Sequence, residues 1–189
     1  MTAVEYVGSV SSEGGPLLVA DALTVAKWRG VEDGGADYDR ACRVSSPGGS
    51  LAMGGSMGII WDLGGPGTAG VLREGFSGLV ICRAWLSVTT VAEGRATIAR
   101  FAEIPLVPQR RMLLGRIHVA SGALVVLWAT ESGRSVRSSE VPGQRMGKAF
   151  ASVEGSMLAI AMPSGMYTCW HDQVELPVGE ARRCIVTME

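Results

Sequence analysis

Apolar residues in this chain come in short runs, and glycine or proline ends most of them. Residues 17–19, 51–53, 58–61, 79–86, 111–119, 123–129 and 157–161 are such runs. Runs of this length suit strands better than core helices, and glycine supplies the positive φ that tight turns need. With 26 glycines and eight prolines in 189 residues, the spacing predicts a mainly β chain. The architecture expected is an antiparallel β-sandwich or irregular barrel with one or two short helices. Hydrophobic residues make up 47% and charged residues 19%, enough apolar material for one sizeable core, so residues 1–189 are expected to form a single domain. No apolar run approaches the ~20 residues of a membrane helix, and no membrane partner is expected. Residues 1–6 lack a basic stretch followed by an apolar one, which predicts no signal peptide and a cytoplasmic location.

Taken in order, residues 4–10 alternate loosely and read as a first strand. Gly54-Gly55 between two apolar runs predicts a hairpin. Gly64-Gly65-Pro66-Gly67 reads as a loop. It does not read as a phosphate cradle, because no Gly-Lys-Ser/Thr follows. Val91, Ile98 and Phe101 sit at helical offsets and predict a helix despite Gly94. The runs around Ser121-Gly122 predict a second hairpin. Residues 132–154 are polar and glycine-containing, and read as a long loop with one short helical turn. Pro163-Ser164-Gly165 is a turn between two strands, and residues 183–188 form the last strand.

A net charge of −1 argues against nucleic acid as a partner. The charge is unevenly divided. Residues 1–75 hold five Lys/Arg and nine Asp/Glu, a balance of −4, and residues 76–189 hold twelve and nine, a balance of +3. Glu32, Asp33, Asp37 and Asp39 make the sharpest local feature. Such a run is either a solvated face or a contact for a basic partner.

Residues 13–42 carry the one constellation that does not look like generic core. The glycine–proline turn leads into Leu17, Leu18 and Val19. Asp21 then caps a short helix with Leu23, Ala26 and Trp28 on its apolar side, and Gly30 ends it. Gly14-Gly15-Pro16-Leu17-Leu18-Val19, then Trp28-Arg29-Gly30, then Asp37-Tyr38-Asp39-Arg40-Ala41-Cys42 resembles the signature of the immunity protein 21 family. The likeness continues through residues 79–86, 121–126 and 160–167. The resemblance implies a bacterial protein that binds and neutralises a cognate polymorphic toxin, with no catalytic role and no cofactor. It also implies that Gly14, Gly15, Pro16, Leu17, Trp28, Gly30, Tyr38, Arg40 and Cys42 serve the common fold, because inhibitors of different targets share them. Trp28, Tyr38 and the Asp39-Arg40 pair are expected to fasten this segment to the body. The acidic residues Glu32, Asp33, Asp37 and Asp39 are the candidate toxin contacts, which points to a basic toxin such as a nuclease. Residues 162–170 also resemble a segment of a bacterial inhibitor of a DNA-entry nuclease.

Catalytic signatures are weak. No Gly-x-Ser-x-Gly elbow is present, and Gly54-Gly55-Ser56-Met57-Gly58 lacks the strand–turn–helix setting. Asp37 and Asp39 form a carboxylate pair in an exposed setting. Cys42, Cys82, Cys169 and Cys184 include no Cys-x-x-Cys pair, and with two histidines no metal site is expected. Most of the five tryptophans are expected in the core. The competing reading is a small-molecule-binding or hydrolytic β-domain whose pocket contains His118 or His171. A deep pocket pairing either histidine with a carboxylate would favour it.

Overall fold

The computed structural model describes residues 4–75, 78–86, 90–104, 110–136, 149–151, 155–177 and 179–189. Their order is β1 (Val4–Ser12), β2 (Leu17–Asp21), α1 (Ala22–Val25), α2 (Ala36–Cys42), β3 (Gly48–Met53), β4 (Ser56–Trp61), β5 (Gly67–Glu74) and β6 (Gly78–Leu86). Then come α3 (Val91–Glu103), β7 (Met112–Val119), β8 (Ala123–Trp128), β9 (Ala149–Ala151), β10 (Met157–Ala161), β11 (Gly165–Leu176) and β12 (Gly179–Met188). Short 3₁₀ turns occur at Glu32–Gly34 and Gly133–Ser135. One sheet runs β1-β5-β6-β12-β11-β7 and the other β3-β4-β2-β8-β10-β9, with antiparallel pairing throughout. The expected mainly β sandwich is therefore the architecture observed, and the barrel alternative falls away because neither sheet closes on itself.

Side chains alternate across the strands to fill three apolar layers. Leu17 and Val19 of β2, Ile59 and Trp61 of β4, Leu124 and Val126 of β8, and Cys184 and Val186 of β12 point between the sheets. Leu18 and Ala20, Ile60, and Ala123, Val125 and Leu127 point the other way, beneath Trp28, Tyr38 and Ala41. Leu72, Val80, Cys82, Ala181 and Ile185 lie on the outer face of the first sheet, beneath Phe101 and Ala102 of α3. This explains why the strands read as continuous apolar runs. Strands covered on both faces have no solvent side on which to place polar residues. Thr90 and Glu93 start α3 with a reciprocal capping box, which offsets the unfavourable Gly94.

Three expectations need correction, and one strand, β5, is not foreseen in the sequence. The predicted hairpin at Ser121-Gly122 is an arch: β7 is an edge strand of one sheet and β8 is central in the other. Its cause is Asp21, whose Oδ2 accepts from Ala120 N–H (3.0 Å), Ser121 N–H (2.8 Å) and Ser121 Oγ–H (2.6 Å). These bonds hold the chain across the end of the sandwich instead of letting it double back. β5 is a strand that composition hid, because Gly67, Thr68 and Gly70 dilute its pattern. β9 lies within the segment read as a loop, pairing with β10, and residues 137–148 and 152–154 of that segment lie outside the described residues. Finally, α1 is a single turn, and Leu23 is 55% exposed. Ala22 and Val25 are the α1 residues in the apolar layer, and Trp28 follows the helix. The Gly54-Gly55 hairpin is as expected, with Met53 opposite Ser56.

The Gly64–Gly67 loop has its own logic. The Arg83 guanidinium donates to Leu63 O (2.8 Å), Gly65 O (2.5 Å) and Pro66 O (2.5 Å). Carbonyls converge on a cation here, the opposite polarity to a phosphate cradle. Arg83 also stacks on Trp85 at 4.5 Å.

Candidate functional site

Within residues 13–42, β2 is a central strand of the second sheet and residues 22–42 form the layer over its outer face. Two anchors come from the corner between β1 and β2. Ser12 Oγ accepts from Gly14 N–H (3.0 Å), and Trp128 Nε1–H donates to Gly14 O (2.5 Å). Gly15 has a φ of +79°, and a Cβ there would run into the Tyr38 hydroxyl, so only glycine fits. Trp28 is 1% exposed, lies in the apolar layer under the segment and donates Nε1–H to Ala129 O (3.0 Å). Gly30, at φ +59°, lets the chain pass against the carbonyls of Thr130 and Glu131, where any side chain would collide. Asp21 adds the predicted cap, accepting from Leu23 N–H at 3.0 Å.

The four acidic residues divide by role. Asp37 is half-buried: Oδ2 accepts from Arg29 N–H (3.0 Å), and Oδ1 pairs with Arg40 at 3.1 Å. Arg40 also donates to Ala52 O, tying α2 to β3. Arg40 thus joins Asp37 to the edge strand β3. Glu32, Asp33 and Asp39 are exposed. Glu32 pairs loosely with Arg134 at 3.3 Å, and Asp33 with Arg29 at 3.9 Å. Exposed pairs of this kind contribute little to stability, typically about 0–1 kcal/mol. Cys42 at the end of α2 is exposed, beside Tyr38.

An open groove of about 750 Å³ runs beside the 3₁₀ turn, between Val31 and Glu32 on one side and Trp128, Thr130, Glu131 and Arg134 on the other. Its walls are locked to each other by main-chain bonds: Val31 N–H to Thr130 O (3.0 Å) and Gly133 N–H to Trp28 O (2.9 Å). Sequence reasoning missed Thr130 and Glu131. They lie about a hundred positions from Trp28, and no periodicity links them to it.

This groove contains neither histidine. His118 is exposed on the edge strand β7. His171 lies in the interior, where Nδ1 accepts from Trp61 Nε1–H at 3.2 Å. Burial, then the neighbouring Arg182, lower its pKa against the raising effect of Asp172. Above the ordinary value of 6.5 both folded and unfolded histidine are neutral. As pH falls through 6.5 the unfolded chain takes up a proton that the folded chain resists, and stability drops. Urea midpoints should therefore fall between pH 7 and pH 5, and His171→Gln should flatten that fall; equal slopes for the two proteins would count against this role.

Cys82, Cys169 and Cys184 are buried free thiols. Burial pushes Cys82 and Cys184 up to about 12 and Cys169 well above its ordinary value, so all three stay protonated at neutral pH. Cys169 and His171 sit two apart in β11, but among the described residues no group of three or more potential ligands could hold a metal. Of the tryptophans, Trp28 and Trp61 are fully buried, whereas Trp85, Trp128 and Trp170 are half-buried. No helix among the described residues is long and apolar enough to cross a membrane.

Fold and site together define a class: an antiparallel sandwich carrying a helical overlay that is pinned from below and presents exposed carboxylates above. The family model for immunity protein 21 matches residues 9–176, and the chain belongs to that family. No curated protein and no solved structure matches it.

Proposed function

We propose that this protein binds a cognate bacterial polymorphic toxin tightly and stoichiometrically in the cytoplasm and neutralises it by occupying its surface. Membership of the immunity protein 21 family carries this reading. The overlay of residues 22–42 supports it physically, because an inhibitor needs a preformed surface and no catalytic group. Glu32, Asp33 and Asp39 project from that surface and suit a basic toxin such as a nuclease. Co-expression with polymorphic toxin domains encoded in the same genome tests the role, and a protein that rescues growth from none of them would overturn it.

Exposed acids act mainly on encounter. Neutralising Asp33 and Asp39 together should slow association several-fold at low salt and flatten its salt dependence, with the melting temperature unchanged. Asp37→Asn should instead loosen the turn that Arg29 N–H and Arg40 share, and lower stability. Stopped-flow rates at low and high salt separate the two; wild-type rates and salt slopes in the Asp33/Asp39 variant would remove these acids from the interface.

A further inference from the structure

We propose that the groove beside the 3₁₀ turn is the slot into which the toxin inserts one long cationic side chain, most favourably an arginine. The inference rests on the toxin-binding reading above and goes beyond it by naming the pocket and the chemistry of its occupant. The half-buried Trp128 and the 54% exposed Val31 offer apolar contact for an aliphatic stem. A tryptophan is also the best aromatic partner for a guanidinium stacked on it. The charge at the rim favours a cation: Glu32 and Glu131 against the single Arg134 leave one negative charge in excess. Glu131 makes no ion pair among the described residues, and the Glu32–Arg134 pair is exposed on both sides and can be exchanged for an incoming cation. The two walls are already joined by Val31 N–H to Thr130 O and Gly133 N–H to Trp28 O, so little ordering is needed on binding.

The test is binding of the toxin domain identified by that growth-rescue assay, by surface plasmon resonance, to wild type, Glu131→Gln and Val31→Lys. Glu131→Gln keeps the shape and removes the charge; Val31→Lys places a competing cation at the groove. Each should raise Kd roughly tenfold to a hundredfold, chiefly through faster dissociation, as loss of a central anchor does. Val31 is exposed, and Glu131 is half-buried with no ion pair among the described residues, so melting temperatures should match wild type, and if Val31→Lys perturbs folding the Glu131→Gln result stands alone. Wild-type Kd and dissociation rate in Glu131→Gln would overturn the slot while leaving toxin binding intact. A wild-type protein that does not bind the toxin at all would instead remove the toxin-binding reading, and the slot with it.

Discussion

Asp172→Ala is expected to cost about 3–5 kcal/mol of stability, because it leaves a buried guanidinium without its counter-charge. Arg183 is 0% exposed and Asp172 1% exposed, and their side chains form a direct ion pair beneath α3. The same guanidinium donates to Phe101 O (2.8 Å) and Ile104 O (2.6 Å), carbonyls at the C-terminal end of α3. One arginine therefore joins β11, β12 and the helix over them. For a chain of this size the loss corresponds to a fall in melting temperature of roughly 6–20 °C. The double variant Asp172→Val/Arg183→Met should recover part of it, since replacing both members of a buried pair with apolar groups removes the desolvation penalty. Calorimetry of the three proteins decides this, and an Asp172→Ala protein that melts with wild type would show that the pair contributes nothing net.

Trp28→Ala should cost a similar amount, about 3–5 kcal/mol, from the cavity left in the layer shared with Leu18, Ala20, Val125 and Leu127. Trp28→Phe keeps most of the packing but leaves Ala129 O without the indole donor, and should cost about 1–3 kcal/mol. Because Trp28 is buried, lost protection against the toxin should track lost stability. Urea unfolding beside a growth-rescue assay tests the link. Unchanged stability with lost protection would mean that Trp28 meets the toxin directly.

Several features were legible in the sequence because they depend on neighbours along the chain. The Gly54-Gly55 turn, the strand over residues 79–86, the helix over residues 91–101 and the Asp21 cap all follow from local conformational rules. The segment 13–42 also stood out, because Gly15, Gly30 and Trp28 are residue types that a generic surface does not require. Its division of labour was not legible. Asp37 and Asp39 are both acids two apart, yet one holds Arg29 N–H and Arg40 while the other is exposed to solvent.

The sequence by itself determined that this chain would be strands and tight turns with an acidic, glycine-framed segment near its start. Those outcomes rest on φ preferences and on the length of apolar runs, which are properties of a few consecutive residues. The tertiary structure alone decided which strands share a sheet. β7 and β8 look like hairpin partners until Asp21, about a hundred positions away, captures Ala120 and Ser121 and sends them to opposite sheets. It also brought Trp128, Thr130 and Glu131 against Val31 and Glu32, and buried Arg183 against Asp172 under a helix end. Contacts of that separation form only when the two sheets pack, and no local pattern encodes them.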